Sequence, residues 1–157
     1  MFVFHPLSDD TRHRLIAGGL DPDAVAALVR AAIAEDLAGG IDVTSTATGL
    51  ALAAAVIDTV CGETSSDFHY LVADGDRVEG GTAVARVEAP TRLLLTAERT
   101  ALNLVCHVSG VATLTRRWAD ALAGTKAIVR DPRKTLPGLR ALQKYGVRCG
   151  GGSNHRM

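Results

Sequence analysis

Apolar and polar positions follow a helical period after Asp21-Pro22, in DAVAALVRAAIAEDL, residues 23–37. Asp21 suits the N-cap, Pro22 the first helical position, where a missing N–H costs nothing, and Gly39-Gly40 the stop. The preceding stretch, MFVFHPLSDDTRHR, shows no such period, and residues 1–19 are expected to form an irregular N-terminal tail. IDVTSTAT, residues 41–48, suits a loop or short strand; local turn hydrogen bonding is the stronger reading of Asp42 and Thr44, capping or binding the other. Residues 51–60 are apolar enough for strand or helix, and the branched side chains of AAVIDTV, 54–60, favour a strand. After a turn in GETSSD, 62–67, FHYLVADGDRVEGGTAVARVEAP alternates with period two. It predicts strands at 68–73, around Arg77-Val78 and at 83–88, with turns at Asp74-Gly75 and Gly80-Gly81 and a stop at Pro90.

From Thr96 the period becomes helical again. Thr96 is the candidate N-cap, Glu98 complements the first turn, and Leu102, Leu104, Val105 and Val108 form an apolar face. Ser109-Gly110 is expected to interrupt this helix before VATLTRRWADALAG carries a second one to Gly124. TKAIV, 125–129, predicts a short buried strand, and after Pro137 LRALQKYGVR returns to helix until Gly150-Gly151-Gly152 ends it. The order is helix, small antiparallel sheet, long helices, then one strand-loop-helix unit, an α+β arrangement with no internal repeat.

Composition changes this picture in one respect. The formal net charge is zero over 157 residues, yet residues 1–96 carry 14 acidic against 6 basic side chains and residues 97–157 carry 3 against 11. A basic segment suits nucleic acid, but only Trp118 and Tyr145 are aromatic there, too few for base stacking, so a small, highly charged anion is the better partner. No apolar run is long enough for a membrane span and the N-terminus has no cleavage pattern, which points to the cytoplasm. Cys61, Cys106 and Cys149 lack C-x-x-C spacing, so reduced, half-buried thiols are expected and no zinc site. His5, His13 and His69 lack metal-ligand spacing, the Asp-Gly-Asp turn lacks the later ligands of a calcium loop, and His107 sits among apolar helix residues as a satisfied histidine.

The candidate chemistry gathers in DPRKTLPGLRALQKYGVRCGGGSNHRM, residues 131–157. Arg133 and Lys134 follow a predicted strand at the end where α/β folds open their ligand crevices. Arg can grip a carboxylate with two parallel bonds, and Lys offers a point charge suited to phosphate. Arg140, Lys144 and Arg148 recur every four residues on one helix face. A solvated face accounts for Arg140, whereas for Lys144 and Arg148 solvation and anion binding stand about even. The triple glycine can present N–H groups to phosphate, a weak signal without a dinucleotide or P-loop pattern. His155 beside Arg156 suits a second carboxylate. Arg99, in ERTALN, has Glu98 or solvent as its local partner.

Two blocks, LLTAERTALNLVCHVSGVAT (94–113) and GTKAIVRDPRKTLPGLRALQKYGVRCGGGSNHR (124–156), with EDLAGGIDVTSTAT and the DGDRVEGG turn, resemble the quinolinate phosphoribosyltransferase family. The resemblance implies an N-terminal open α/β sandwich domain with long linking helices over 20–124, followed by the first strand-helix unit of an α/β barrel over 125–157. It implies that quinolinate attacks phosphoribosyl pyrophosphate through its ring nitrogen, giving nicotinate mononucleotide, pyrophosphate and carbon dioxide in NAD biosynthesis. Arg133, His155 and Arg156 would hold the carboxylates and Lys134 would face the phosphoribosyl pyrophosphate. Arg99 would reach into a neighbouring subunit's site, since family members are dimers. Magnesium would accompany the pyrophosphate, with ligands outside this chain. No covalent nucleophile is implied.

Three departures qualify the expectation. Pro132 stands where the family motif has Thr, removing a hydroxyl and an N–H. The stretch between Val60 and Phe68 is short for the family. Beyond Met157 the family continues through barrel strands with a further Lys and acidic ribose and metal ligands, so this chain is expected to be a shortened, inactive form. Two alternatives stand beside that: a non-catalytic paralogue acting as a partner or binding subunit, paired with itself or with a full-length homologue, and a phosphoribosyltransferase of altered specificity.

Overall fold

A computed structural model describes residues 5–35, 46–62 and 65–155, except for the side chains of 31–35. In chain order these form α1 (Asp9–Ala17), α2 (Pro22–Glu35), α3 (Leu50–Cys61), β1 (Asp67–Tyr70), β2 (Ala85–Glu88), α4 (Thr91–Ala121) and α5 (Arg140–Cys149).

The core is built around α3, all 12 of whose side chains are buried. This is where a strand was expected, and the reason for the difference is physical. Leu50 to Ala55 are strong helix formers, and a helix covered on every side is apolar all round, so it shows no 3.6-residue period. Its flanks are α4 along one side and α2, α1 and β1 on the others. The amide of Leu50, in the uncapped first turn, donates to Asp74 Oδ1 at 2.9 Å. The only carboxylate on α3, Asp58, is buried and accepts from Thr11 Oγ1 at 2.7 Å and from the Ser8 amide at 3.1 Å.

That carboxylate docks α1, so residues 9–17 are helix where an irregular tail was expected. Ser8 caps α1 by accepting from the Thr11 amide at 3.2 Å, and only Thr11 and Leu15 of α1 face inward. Two buried positions in nine residues are too few to produce a visible period. For α2 the start agrees with expectation, with Pro22 first and the Asp23 amide donating to Asp21 Oδ1 at 3.0 Å. The Gly39-Gly40 stop, Asp42 and Thr44 lie outside the described residues.

The two strands pair antiparallel, Asp67 with Glu88 through Tyr70 with Ala85. The expected middle strand is reduced to a single bridge from Arg77 to Thr46. From Pro90 the chain enters one uninterrupted helix of 31 residues, about 46 Å long. Thr96 is inside it, with its hydroxyl on the Arg92 carbonyl at 3.0 Å, and therefore is no cap. Ser109 does not break it either: its hydroxyl accepts from the Thr48 amide at 3.0 Å and donates to the Thr48 carbonyl at 2.9 Å, tying α4 to the turn before α3.

α5 lies close on α4 because its contact positions lack side chains. A Cβ at Gly146 would meet the Val108 carbonyl at 3.0 Å, one at Gly150 the Thr115 Cβ at 2.6 Å, and one at Gly152, just after α5, the Thr115 Cγ2 at 2.8 Å. The segment 125–129 is mostly exposed coil, and the strand expected there narrows to one parallel bridge, Arg130 with Ser153. Val129 accepts from the Ser153 amide at 2.8 Å and Ser153 accepts from the Asp131 amide at 3.2 Å. Two parallel edges with a helix between them form the start of a βαβ crossover, one edge more than a strand-helix unit.

Candidate functional site

Two arms leave the parallel bridge in the same direction. One runs from Arg130 through Asp131 to the exposed Pro132, Arg133 and Lys134; the other runs from Ser153 through Asn154 to the exposed His155. Asp131 joins them. Its buried carboxylate accepts from Lys144 Nζ at 2.5 Å and from the His155 amide. Burial by itself raises this carboxyl's pKa, but the Lys144 bond, the His155 amide and the Lys144 charge hold it below its ordinary value.

Lys144 is therefore no anion ligand. It is 6% exposed on α5, with its ammonium committed to Asp131. A fully buried ion pair keeps both partners because either alone would be an uncompensated charge. Arg148 is committed as well. It donates to the Gly18 carbonyl at the end of α1, to the Asn154 side-chain oxygen at 2.7 Å, and its guanidinium carbon lies 5.6 Å from the Tyr145 ring centre. Asn154 in turn donates to the Lys144 carbonyl at 3.1 Å. Arg140 is exposed, its Nε 3.2 Å from Thr135 Oγ1, consistent with a solvated face.

The triple glycine is not a phosphate cradle. The amides of Gly150, Gly151 and Gly152 donate to Gly146, Arg148 and Val147 carbonyls at 2.9 Å each, and the Gly150 and Gly152 positions are needed for packing. Gly151 sits at φ +85°, the left-handed turn that closes α5. Arg133 and Lys134 make no ion pair among the described residues, so their charges are free for a ligand. Arg156 lies outside the described residues. Arg99 is exposed on α4, 13 residues before Ala112, where α5 ends against α4; that is about 20 Å along the helix axis.

Behind the arms, further contacts secure α5. Tyr145 donates its hydroxyl to Asp74 Oδ2 at 2.5 Å, and burial, followed by the Asp74 charge, pushes this phenol's pKa well above its usual value. Arg116 Nη2 donates to the Cys149 carbonyl at 2.8 Å. Burial also raises the pKa of the Cys61 and Cys149 thiols, and no disulfide is present among the described residues. Asp131 and Asp74 escaped the sequence reading as site-forming groups. For Asp131 a signal existed: it is one of only 3 acidic residues after position 96, set in a basic surround.

Comparison with known proteins agrees with this layout. The family model described as quinolinate phosphoribosyl transferase, N-terminal domain, matches residues 16–109, and that of the C-terminal domain matches 111–157. The nicotinate-nucleotide pyrophosphorylase (carboxylating) of Mycobacterium leprae is 48% identical over 155 residues, 86% of this chain and 55% of the relative. A probable enzyme of the same name from Bacillus subtilis is 46% identical over 84 residues, 54% of this chain and 29% of the relative. Among solved structures, NadC from Streptococcus pyogenes superposes with a TM-score of 0.77 at 32% identity, covering 87% of this chain and 55% of that one. The nicotinate-nucleotide pyrophosphorylase of Francisella tularensis gives 0.75 at 36%, covering 85% and 53%. The chain thus spans about half the length of these full proteins or less, and within that span it belongs to the quinolinate phosphoribosyl transferase family.

Proposed function

We propose that this chain contributes the carboxylate-gripping wall of a quinolinate phosphoribosyltransferase site. The observation that carries the proposal is the Asp131 clamp: its carboxylate accepts from Lys144 and from the His155 amide, joining the arm that leads to the free Arg133 and Lys134 to the arm that carries His155. Arg133 on one arm and His155-Arg156 on the other span the two carboxylates of a pyridine-2,3-dicarboxylate, and Lys134 faces the phosphoribosyl pyrophosphate. Held this way, the ring nitrogen is presented to the ribose carbon. The chain's residues act by positioning and by stabilising charge as the pyrophosphate departs, without a covalent nucleophile.

Magnesium belongs to the same proposal, as the counter-ion of the pyrophosphate. The described residues do not fit it: they hold no cluster of three His, Cys, Asp or Glu side chains, and Asp131 is spent on Lys144. Division into a domain over 20–124 and a barrel unit over 125–157, with the protein in the cytoplasm, completes the reading. Among the described residues no helix is long and apolar enough to cross a membrane.

Exposed on α4 and in no ion pair among the described residues, Arg99 would serve the other subunit's site in a dimer. Exposed Leu95 and Leu102 flank Arg99 on α4 and give such a contact apolar area, which equally supports the second reading, a binding subunit paired with a full-length homologue.

The 157-residue chain is expected to bind pyridine-2,3-dicarboxylate in calorimetry and to form no nicotinate mononucleotide from quinolinate, phosphoribosyl pyrophosphate and magnesium. Replacing Arg133 by Ala should weaken the binding by about 1.5 to 3 kcal/mol, the worth of hydrogen bonds to a charged group. Unchanged affinity would remove Arg133 from the site, and product formation would overturn the inactive-alone reading.

A further inference from the structure

The loop that carries Arg133 and Lys134 has few attachments of its own. Pro132 and Pro137 lack an N–H, residues 132–134 and 136–138 are exposed, and Gly138 sits at φ +77°. Arg140 reaches Thr135 at 3.2 Å, but from an exposed, flexible side chain. Among the described residues the remaining side-chain tie is the Leu136 amide, which donates to Gln143 Oε1 on α5 at 3.0 Å.

Gln143 is itself oriented. A backbone N–H can only donate, so the end of the amide facing Leu136 must be the oxygen, and Nε2 faces His107 Nε2 on α4 at 3.2 Å. An amide nitrogen can only donate in turn, so His107 must present a lone pair at Nε2 and carry its proton at Nδ1. The satisfied histidine on α4 therefore plays a directional part, keeping the Gln143 oxygen on the loop.

We propose that Gln143 is a positioning residue, oriented by His107, that fixes the loop bearing Arg133 and Lys134 through the Leu136 amide. This rests on the carboxylate-binding role given to Arg133, but the tie itself can be tested without it. A Gln143→Leu variant removes both bonds at nearly the same volume, whereas Gln143→Glu keeps an acceptor for Leu136 and can accept from His107 Nε2–H in its other tautomer.

Amide hydrogen exchange of the whole chain is the first measurement. In Gln143→Leu the Leu136 amide should exchange about tenfold faster or more, while amides within α5 from Leu142 to Val147 keep their rates; Gln143→Glu should restore the Leu136 rate. Calorimetry with pyridine-2,3-dicarboxylate is the second, with affinity falling about tenfold in the Leu variant and recovering in the Glu variant. An unchanged Leu136 rate in Gln143→Leu, or a Glu variant as fast as the Leu variant, overturns the proposal. Equal loss of protection along α5 also overturns it, since Gln143 would then support the helix and not the loop. If the parent chain shows no dicarboxylate binding, the functional reading fails while the exchange measurement still decides the tie.

Discussion

The basic side chains of the C-terminal segment divide into two groups that the same charge and spacing conceal. On α5, Lys144 is enclosed with Asp131, and Arg148 is spent on Gly18, Asn154 and the Tyr145 ring. On the loop a few residues earlier, Arg133 and Lys134 have no acidic partner among the described residues. The first group fixes the frame, and the second is the one to which ligand binding is proposed. Cationic character alone does not mark a binding residue; whether the protein has already used the charge does.

The sharpest way to break this contrast is to remove the partner that commits Lys144. Asp131→Ala leaves a buried ammonium unpaired and the His155 amide without its acceptor, and should destabilise the chain by about 3 to 5 kcal/mol in urea unfolding. A loss under about 1 kcal/mol, read on the same urea curve, would place Lys144 with the free group. Next in size is Gly150→Ala, whose methyl group would lie 2.6 Å from the Thr115 Cβ; overpacking should cost about 1 to 3 kcal/mol and loosen α5 from α4.

Acid should act on the committed group alone. The folded Asp131 carboxyl lies below its ordinary value of about 3.9, so the unfolded chain takes up this proton first. The clamp's contribution is then complete above that ordinary value and is lost as pH falls through the lower, folded value. Urea unfolding across pH should show the stability of Lys144→Met, whose Asp131 has lost the cation that lowers it, falling less steeply with acid than the parent's; equal slopes would detach the shift from the pair. Smallest is Arg140→Ala, on the solvated face, which should change stability by less than about 0.5 kcal/mol in thermal melts.

How much of this was legible depends on the distance over which each interaction acts. The start of α2, the turns of the hairpin and the helix after Pro137 follow from local chemistry, and the sequence carries them. The identity of α3 does not, because Val56, Ile57 and Val60 suggest a strand and a helix buried on all sides has no polar face to reveal its period. Ser109-Gly110 resembles a break because the Ser109 partner, Thr48, is 61 residues away. Lys144 resembles a ligand because its partner is 13 residues earlier, across a loop. The site's arms were visible as residue types in sequence; the clamp that aligns them was not.

The continuity of α4 has a mechanical consequence. Residue 110, the seam between the two domain matches, falls inside a single rod of 31 residues, so the place where the sequence divides has no joint. Continuous helix therefore links the end of β2 to the stretch on which α5 packs. A cut at that seam would sever a shaft rather than a tether, stranding Val108 and Ala112, both fully enclosed, on opposite stubs.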